Sequence, residues 1–226
     1  MDSTLSSQVR GVIFDLDGTL YDMSWYMKPL FFLRLFRTGM RLTRFFRIRK
    51  TFAGRDLGSC DALIDALCAE VSGQEGSDRA KVRTWILVDF YAAFVAIMPF
   101  FRFSRPGIVT MLQSLREKGF RLGVLSDYDC VKERLERLSL PPSLFDTIAS
   151  SEAAGALKPN VRPFLAIAAK WGFEPGSVLV IGDRTDTDGS AAAAAGMQFL
   201  LLENGRRSNG CTWAELKNLL LGLDKM

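Results

Sequence analysis

The chain has 226 residues, of which 48% are apolar and 24% are charged, and its formal net charge is +4. Such a composition is typical of a globular protein with one large domain, or a core with a smaller insertion, and does not favour a disordered chain. The sequence contains no histidine, and no C-x-x-C pair occurs among its four cysteines, Cys60, Cys68, Cys130 and Cys211. The usual zinc sites and every mechanism that needs an imidazole base are therefore excluded. Any metal must be held by oxygen ligands, which favours Mg²⁺ or a similar hard cation.

The first residues, the apolar runs and the cysteines of the chain indicate in which cellular compartment to expect it. The first ten residues are polar and lack the apolar core of a signal peptide. The longest nearly apolar run, residues 90–101, is too short to span a bilayer. Scattered cysteines without a pairing pattern are typical of a reducing compartment. We therefore expect a cytoplasmic protein.

The first predicted element is a short strand, residues 12–14, that ends in two carboxylates, Asp15 and Asp17. Because side chains two positions apart point to the same side of a strand, both carboxylates can converge on one point. Two like charges held that close repel each other and raise a carboxyl pKa unless a cation lies between them. A metal ion, or an acid and a base with different roles, resolves this repulsion. The alternative is a strand that simply ends in a polar turn, where Asp and Gly are common.

A strongly basic segment, residues 28–55, follows the acid pair. Between residues 24 and 58, nine Lys and Arg residues accompany one acidic residue, Asp56, so this stretch carries a charge of +8 and the rest of the chain −4. Apolar residues recur here at helical spacing, at Leu30, Leu33, Phe36 and Met40. Arginines recur on a different face, at Arg34, Arg37, Arg41 and Arg44.

This pattern predicts a basic amphipathic helix, for which several roles are open. Such a helix can lie on a membrane surface, bind nucleic acid or draw an anionic substrate toward a nearby site. More commonly, a helix of this kind packs its apolar face into its own domain and exposes its arginines to water. We favour this last interpretation and expect no nucleic-acid partner. Contact with a membrane surface is the less favoured alternative.

Two further helices are predicted over residues 59–71 and 77–97. The second ends at Met98-Pro99, because a residue that precedes proline is disfavoured in a helix. Residues 23–102 are therefore predicted to form a mainly helical cap domain, inserted directly after the acid pair, where it can act as a lid. Residues 1–22 and 103–226 are predicted to form the core domain.

From residue 105 onward, predicted helices and strands alternate. The predicted strands are residues 120–125, 147–149, 178–181 and 198–202. The predicted helices are residues 128–138, 160–171 and 188–195, with an earlier one opened by Pro106-Gly107 and a last one begun by a capping box of Thr212 and Glu215. Alternation of this kind indicates a parallel sheet covered by helices on both faces. Ligands bind beyond the carboxyl ends of the strands in such sheets.

Polar residues follow three of the predicted strands: Asp15 and Asp17, Ser126 and Asp127, and Asp183 with Asp186 and Asp188. Together with Lys158-Pro159, they resemble the four motifs of the haloacid dehalogenase-like hydrolase superfamily, in the order expected there. The match runs from Asp15-Leu16-Asp17-Gly18-Thr19 through Ser126 and Lys158-Pro159 to Gly182-Asp183 with Asp188. It covers residues 10–22 and about 105–203. The resemblance implies an α/β fold, with a Rossmannoid core of parallel sheet flanked by helices and a helical cap.

The resemblance also implies a role for each motif residue. Asp15 is the nucleophile that forms an aspartyl-phosphate, and Asp17 is the general acid and base. The implied phosphate-binding residues are Gly18, Thr19, Ser126, Asp127 and Lys158. Mg²⁺ is implied to lie against Asp15, Asp183 and the main-chain oxygen of Asp17, with Asp188 orienting the metal shell.

Two positions of the motif set are less well defined. The spacing of the fourth motif leaves Asp186 as an alternative to Asp188, and we favour Asp188. Asp127 stands where an asparagine is common in the superfamily.

The leading hypothesis is a magnesium-dependent phosphatase, similar to phosphoglycolate phosphatases, that acts on a small phosphorylated metabolite. Asp17 argues against the dehalogenase branch of the superfamily, which attacks carbon and typically lacks a second aspartate. A sugar-phosphate mutase or another phosphotransferase shares the same core motifs and stays an alternative. A further alternative is a phosphate-binding module docked to a membrane or nucleic acid through residues 28–55. No motif specifies the substrate or the oligomeric state.

Overall fold

The centre of the fold is a parallel sheet of five strands in the order β3-β2-β1-β4-β5. The computed structural model describes residues 9–23, 25–203 and 210–222. The strands are β1 (Gly11–Asp15), β2 (Arg121–Ser126), β3 (Thr147–Ser150), β4 (Val178–Gly182) and β5 (Gln198–Leu201). All four strand pairs are parallel. The predicted α/β class and parallel sheet are confirmed.

Helices cover both faces of this sheet. They are α6 (Ile108–Glu117), α7 (Val131–Arg137), α8 (Arg162–Trp171), α9 (Ser190–Ala195) and α10 (Trp213–Leu221). Because side chains alternate along a strand, Val12 and Phe14 of β1 pack in the apolar cluster that contains α6, α7 and α10. Ile13, between them, packs in the cluster that contains α8 and α9. Continuous apolar runs in the strands follow from this two-sided burial.

A helical insertion, residues 27–101, lies between β1 and α6. Its helices are α1 (Met27–Arg34), α2 (Gly39–Thr51), α3 (Cys60–Glu75), α4 (Arg79–Thr84) and α5 (Tyr91–Ile97), with a π-helical stretch at Trp85–Phe90. Short 3₁₀ turns follow α1 and α5, at Phe36–Thr38 and Met98–Phe101. Helix α3 is capped by Ser59, whose hydroxyl accepts a hydrogen bond from Ala62 N–H. The prediction that residues 23–102 form a cap domain and that residues 1–22 and 103–226 form the core stays a prediction. Of these two predicted domains, residues 1–8, 24, 204–209 and 223–226 lie outside the described residues.

The predicted apolar stripe of the first insertion helix is wrong at three of its four positions, whereas Leu30 is partly buried against the core. Leu33, Phe36 and Met40 are 72%, 76% and 80% exposed. The cause is a break: α1 ends at Arg34 and a 3₁₀ turn follows, so the angular register changes before α2 begins. The residues that are buried instead are Met27, Phe31, Leu35, Leu42, Phe45 and Ile48.

The run from Arg79 to Phe101 is one continuous helical rod. By length and composition alone it is apolar enough to cross a membrane, and half of its most apolar window is buried inside the fold. Its buried residues, among them Trp85, Phe90 and Phe94, pack in the same apolar cluster as the sheet. The cytoplasmic location stays a prediction.

Candidate active site

The site forms where β1, β2 and β4 end side by side. β1 lies between β2 and β4, with Asp15 in register with Leu125 and Phe14 with Ile181. The residues that follow each strand are therefore brought to one edge of the sheet. Asp15 ends β1, Ser126 ends β2, and Asp183 follows directly after β4.

Three carboxylates converge at this edge. One oxygen of Asp15, one of Asp183 and one of Asp188 lie within 4.8 Å of each other. Gly182 makes this approach possible, because a Cβ atom at that position would lie 2.6 Å from the Asp188 carboxylate carbon. Asp186 instead forms an exposed ion pair with Arg184, at 2.6 Å. The structure therefore places Asp188, and not Asp186, in the carboxylate cluster.

Lys158 is buried among these carboxylates. Its Nζ donates hydrogen bonds to Asp15 Oδ1 at 2.6 Å, Asp188 Oδ1 at 2.7 Å and the Leu125 carbonyl at 2.8 Å. Burial lowers the pKa of Lys158, but Asp15 and Asp188 outweigh burial and the pKa is raised. Lys158 is therefore held as a cation beside the carboxylates.

Asp15 experiences the opposite balance. Burial raises the pKa of Asp15 and, although Lys158 lowers it, Asp188, Asp17 and Asp183 raise it further, so it lies well above its usual value. Burial and the three neighbouring carboxylates thus outweigh the stabilisation that Lys158 gives to the charged form of Asp15. Three carboxylates with hard oxygen donors fit a divalent cation such as Mg²⁺, which would supply the missing positive charge. Asp15, Asp183 and Asp188 would hold it, with the Asp17 main-chain oxygen as a further predicted ligand.

The Asp17 carboxylate has a separate set of partners. Tyr21 Oη donates to Oδ1 at 2.5 Å, and Ser126 Oγ donates to Oδ2 at 2.7 Å. The guanidinium of Arg134, fully buried, forms an ion pair with Oδ1. Arg134 also lies over the ring of Phe94, with 3.9 Å between its guanidinium carbon and the ring centroid. Asp17 is therefore held apart from the carboxylate cluster.

The sequence did not predict Arg134 and Tyr21. In α7, Arg134 shares a buried face with Val131, Leu135 and Leu138. An arginine in the middle of such a helical stripe must be paired if it is buried, and this is the signal that could have identified it. The predicted phosphate-binding Ser126 is brought to the site, where its hydroxyl also accepts hydrogen bonds from Arg134 and from the Tyr128 N–H.

The other predicted phosphate-binding residues have structural contacts in the described chain. The Asp127 carboxylate accepts a hydrogen bond from the Lys158 N–H at 2.9 Å, so it orients the loop that carries Lys158. Arg105 donates to the Gly18 carbonyl at 2.8 Å and to the Thr19 carbonyl at 3.1 Å. The Thr19 side chain is completely buried. These contacts fix the loop that follows β1.

A buried ion pair joins the helical insertion to the core. Arg49 of α2 donates to Glu152 Oε2 and to the Asp127 carbonyl, each at 2.5 Å. Tyr91 Oη also donates to Glu152. Burial lowers the pKa of Arg49, but Glu152 together with Tyr91, Tyr128 and Asp127 outweighs burial, and the pKa is raised. The favoured interpretation of the sequence is that the arginines of the basic segment are exposed to water. Arg49 is buried, so this interpretation does not hold for every arginine of the segment.

Two cavities border the site. One, of about 230 Å³, is lined by four cationic side chains, Arg49, Lys50, Lys158 and Arg184, together with Asp127 and five uncharged residues. We call it the cationic cavity. The other, of about 490 Å³, reaches Asp17 and has mainly apolar walls. A larger cavity of about 690 Å³ lies between Arg34–Thr38 and the helix that contains Ala92 and Ala96, and no residue of the carboxylate cluster lines it. The two smaller cavities are therefore the ones that bear on the chemistry.

Comparisons with known proteins agree with this geometry. Residues 9–196 match the family model described as haloacid dehalogenase-like hydrolase. The chain is 27% identical over 203 residues to a glyceraldehyde 3-phosphate phosphatase of Methanothermobacter thermautotrophicus. The aligned region covers 87% of this chain and 86% of the relative. It is also 27% identical over 203 residues to a phosphoglycolate phosphatase of Aquifex aeolicus, covering 85% and 84% of the two chains.

The fold is likewise shared with a solved structure. A crystal structure of a 2-haloacid dehalogenase from Pseudomonas syringae pv. Tomato superposes with a TM-score of 0.65 at 20% identity and covers 94% of this chain and 98% of that one. At this level of identity the likeness concerns the fold alone. The family match spans strands β1 to β4, Lys158 and all three clustered carboxylates. The chain belongs to the haloacid dehalogenase-like hydrolases.

Proposed function

We propose that this protein is a Mg²⁺-dependent phosphatase that hydrolyses a small phosphomonoester through an aspartyl-phosphate on Asp15. The observation that carries the proposal is the convergence of Asp15, Asp183 and Asp188 around a buried Lys158. The names of two relatives, glyceraldehyde 3-phosphate phosphatase and phosphoglycolate phosphatase, support the same reaction class. A small phosphorylated metabolite is therefore the proposed partner.

In the proposed reaction, an Asp15 carboxylate oxygen attacks phosphorus and the bond from phosphorus to the alcohol oxygen breaks. Asp17 gives a proton to the departing oxygen. A water molecule then attacks the phosphorus of the aspartyl-phosphate, Asp17 takes back a proton from it, and inorganic phosphate leaves with Asp15 restored. Mg²⁺ would offset the charge of the phosphoryl oxygens.

The chain's own residues prepare these steps. Lys158 places a positive charge beside Asp15, where charge develops on the phosphoryl group. Tyr21, Ser126 and Arg134 fix the orientation of the Asp17 carboxylate. Lys50 lines the nearby cavity with Arg49 and Arg184, which are ion-paired to Glu152 and Asp186, and its charge would draw an anionic ester toward Lys158.

Phosphate release from p-nitrophenyl phosphate tests this proposal. We expect release with Mg²⁺, loss of release on chelation, and loss on the order of a thousandfold or more in Asp15→Asn. Asp186→Asn is the matched control, because it removes an exposed carboxylate next to the cluster, and it is expected to keep full activity. A mutase would give an isomerised sugar phosphate from a sugar-phosphate substrate with little inorganic phosphate. Full activity in Asp15→Asn would overturn the mechanism.

A second proposed role is contact with an anionic bilayer surface, favoured by the exposure of Leu33, Phe36 and Met40. Exposed Arg34 and Arg37 flank these apolar side chains, so the surface combines apolar groups with charge complementary to acidic lipids. Co-sedimentation with phosphatidylserine vesicles at low salt tests it, with Phe36→Ser/Met40→Ser expected to reduce the bound fraction. No binding to the vesicles, or binding to nucleic acid alone, would remove this role.

A further inference from the structure

The cavity next to Asp17 has mainly apolar walls. Its buried walls are Met27 and Phe31 of α1, Leu42 of α2 and Phe94 of α5. Ring contacts hold these walls together, since Phe31 lies 5.0 Å from Phe94 between ring centroids. With about 490 Å³, the cavity falls within the usual range for pockets that enclose a small organic ligand.

The polar groups of this cavity are unevenly placed. Asp17 lies at its inner end, held by Arg134 and Ser126. Lys28 and Thr43 also line it, and both are exposed, so they lie at its mouth. Between the two ends, a bound group meets methyl, thioether and aromatic surface.

This apolar cavity and the cationic cavity share two walls, Phe46 and Tyr128. The rings of these two residues meet edge to face, with 6.4 Å between centroids. The two cavities therefore adjoin at these rings. The proposed binding mode places the phosphoryl group of one ester toward Lys158 and its alcohol portion toward Asp17. In the proposed reaction Asp17 protonates the alcohol oxygen, so the cavity that reaches Asp17 is the one that receives the alcohol.

We propose that the substrates of this protein are monophosphate esters of apolar alcohols, whose hydrocarbon portion fills the cavity lined by Met27, Phe31, Leu42 and Phe94. This inference rests on the proposed phosphatase function and specifies its substrate class. A polar alcohol portion would lose its hydrogen bonds to water against these walls. A hydrocarbon portion gains free energy from the same burial.

A series of alkyl phosphates tests the substrate class. We would measure kcat/KM for ethyl, butyl and hexyl phosphate, and for glyceraldehyde 3-phosphate and phosphoglycolate. The expected result is a rise of about fourfold for each added methylene, with hexyl phosphate above both polar esters. A flat or falling series, or a preference for a polar ester over hexyl phosphate, would overturn the inference.

Matched variants locate the effect in the cavity. Phe46→Asn introduces a polar group into the shared wall and is expected to lower kcat/KM for hexyl phosphate at least tenfold more than for ethyl phosphate. Phe103→Asn is the control, because Phe103 is exposed and lines neither cavity; both esters are expected to react as with the wild type. Equal losses for both esters in Phe46→Asn would contradict the proposed binding mode.

Different results would contradict the phosphatase function and the apolar substrate class. If no phosphomonoester of the set is hydrolysed with Mg²⁺ present, the proposed phosphatase function fails. If the polar esters are hydrolysed and the alkyl series is flat, only the apolar substrate class fails. Inhibition by ethylphosphonate and hexylphosphonate provides a second measurement that needs no turnover of the probe, and hexylphosphonate is expected to inhibit at the lower concentration.

Discussion

Arg134 of α7 forms an ion pair with Asp17, which is 117 residues earlier in the chain and is the proposed acid and base. The guanidinium is completely buried, and it also donates to the Ser126 hydroxyl at 3.0 Å. One side chain thus connects the ends of β1 and β2. Among the described residues, no hydrogen bond or ion pair joins Arg134 to Asp15, the proposed nucleophile. Its role is to position Asp17.

We therefore expect Arg134→Met to affect both stability and activity. Loss of the guanidinium leaves Asp17 without its cation in a mostly buried place, which costs about 3 kcal/mol of the free energy of unfolding. Misplacement of Asp17 is expected to lower kcat about a hundredfold. Urea denaturation and steady-state kinetics measure the two effects.

The matched control for this variant is Arg137→Met, in the same helix but not at the site. It is expected to change the free energy of unfolding by less than about 0.5 kcal/mol. An Arg134→Met protein with wild-type kcat, or one in which KM alone changes, would show that the pair does not position the acid and base.

Gly182→Ala is expected to disturb the metal site. The new Cβ would lie 2.6 Å from the Asp188 carboxylate carbon, so Asp188 must move away from Asp15 and Asp183. We expect the Mg²⁺ concentration for half-maximal activity to rise about tenfold or more. Gly73→Ala in α3 is the control, since nothing lies within 4 Å of its added Cβ, and it is expected to raise the free energy of unfolding by up to about 1 kcal/mol. Unchanged Mg²⁺ dependence in Gly182→Ala would contradict the assignment of Asp188.

The pair of Arg49 and Glu152 is expected to be strongly coupled. Removal of Glu152 in Glu152→Met leaves a buried guanidinium uncompensated and costs about 3 to 5 kcal/mol. The double variant Arg49→Met/Glu152→Met removes both charges and is expected to recover most of that loss. A double-mutant cycle by urea denaturation measures the coupling, and additive losses would show that the pair does not join the insertion to the core.

Asp146 is expected to make stability depend on pH. Burial raises its pKa, but the Leu122 N–H, Arg121 and Arg116 outweigh burial, and the pKa lies below its usual value. A carboxylate with a lowered folded-state pKa stabilises the fold at neutral pH. This contribution is lost progressively as the pH falls below the usual pKa of an Asp side chain and through its lowered folded-state pKa. We expect Asp146→Asn to be about 1 kcal/mol less stable than the wild type at pH 7, and this difference to be smaller at about pH 3.

Urea denaturation at the two pH values checks this prediction. Asp186→Asn removes an exposed ion pair and is expected to change stability by less than about 0.5 kcal/mol at either pH. A difference between Asp146→Asn and the wild type that stays constant with pH would rule out titration of Asp146 as its source.

The sequence predicted those parts of the fold and site that depend on local pattern. Asp15, Ser126 and Asp183 could be predicted because each ends an apolar strand, and parallel strands bring their ends to one edge. The side of residues 30–40 that is buried could not be predicted, because the helix breaks after Arg34. This break changes the helical register and leaves Phe36 exposed. A periodic pattern assumes an unbroken helix.

Partners distant in sequence were likewise beyond the local pattern. Arg49 contacts Glu152, 103 residues away, and Arg134 contacts Asp17, 117 residues away. Nothing near Arg49 in the sequence distinguishes it from the solvated arginines of the same segment. The apolar cavity is similarly formed by α1, α2, α5 and Tyr128, which only the tertiary packing brings together.

Asp15 is proposed to carry the phosphoryl group during turnover, and peptide mass spectrometry after acid quenching tests this directly. The experiment uses Asp17→Asn with p-nitrophenyl phosphate and Mg²⁺, because the nitrophenolate leaves without a proton while breakdown of the intermediate needs Asp17 to activate water. The expected result is a phosphoryl group on Asp15 that accumulates in Asp17→Asn and is absent from Asp15→Asn. Release of phosphate with no phosphoryl group on Asp15 would contradict the account.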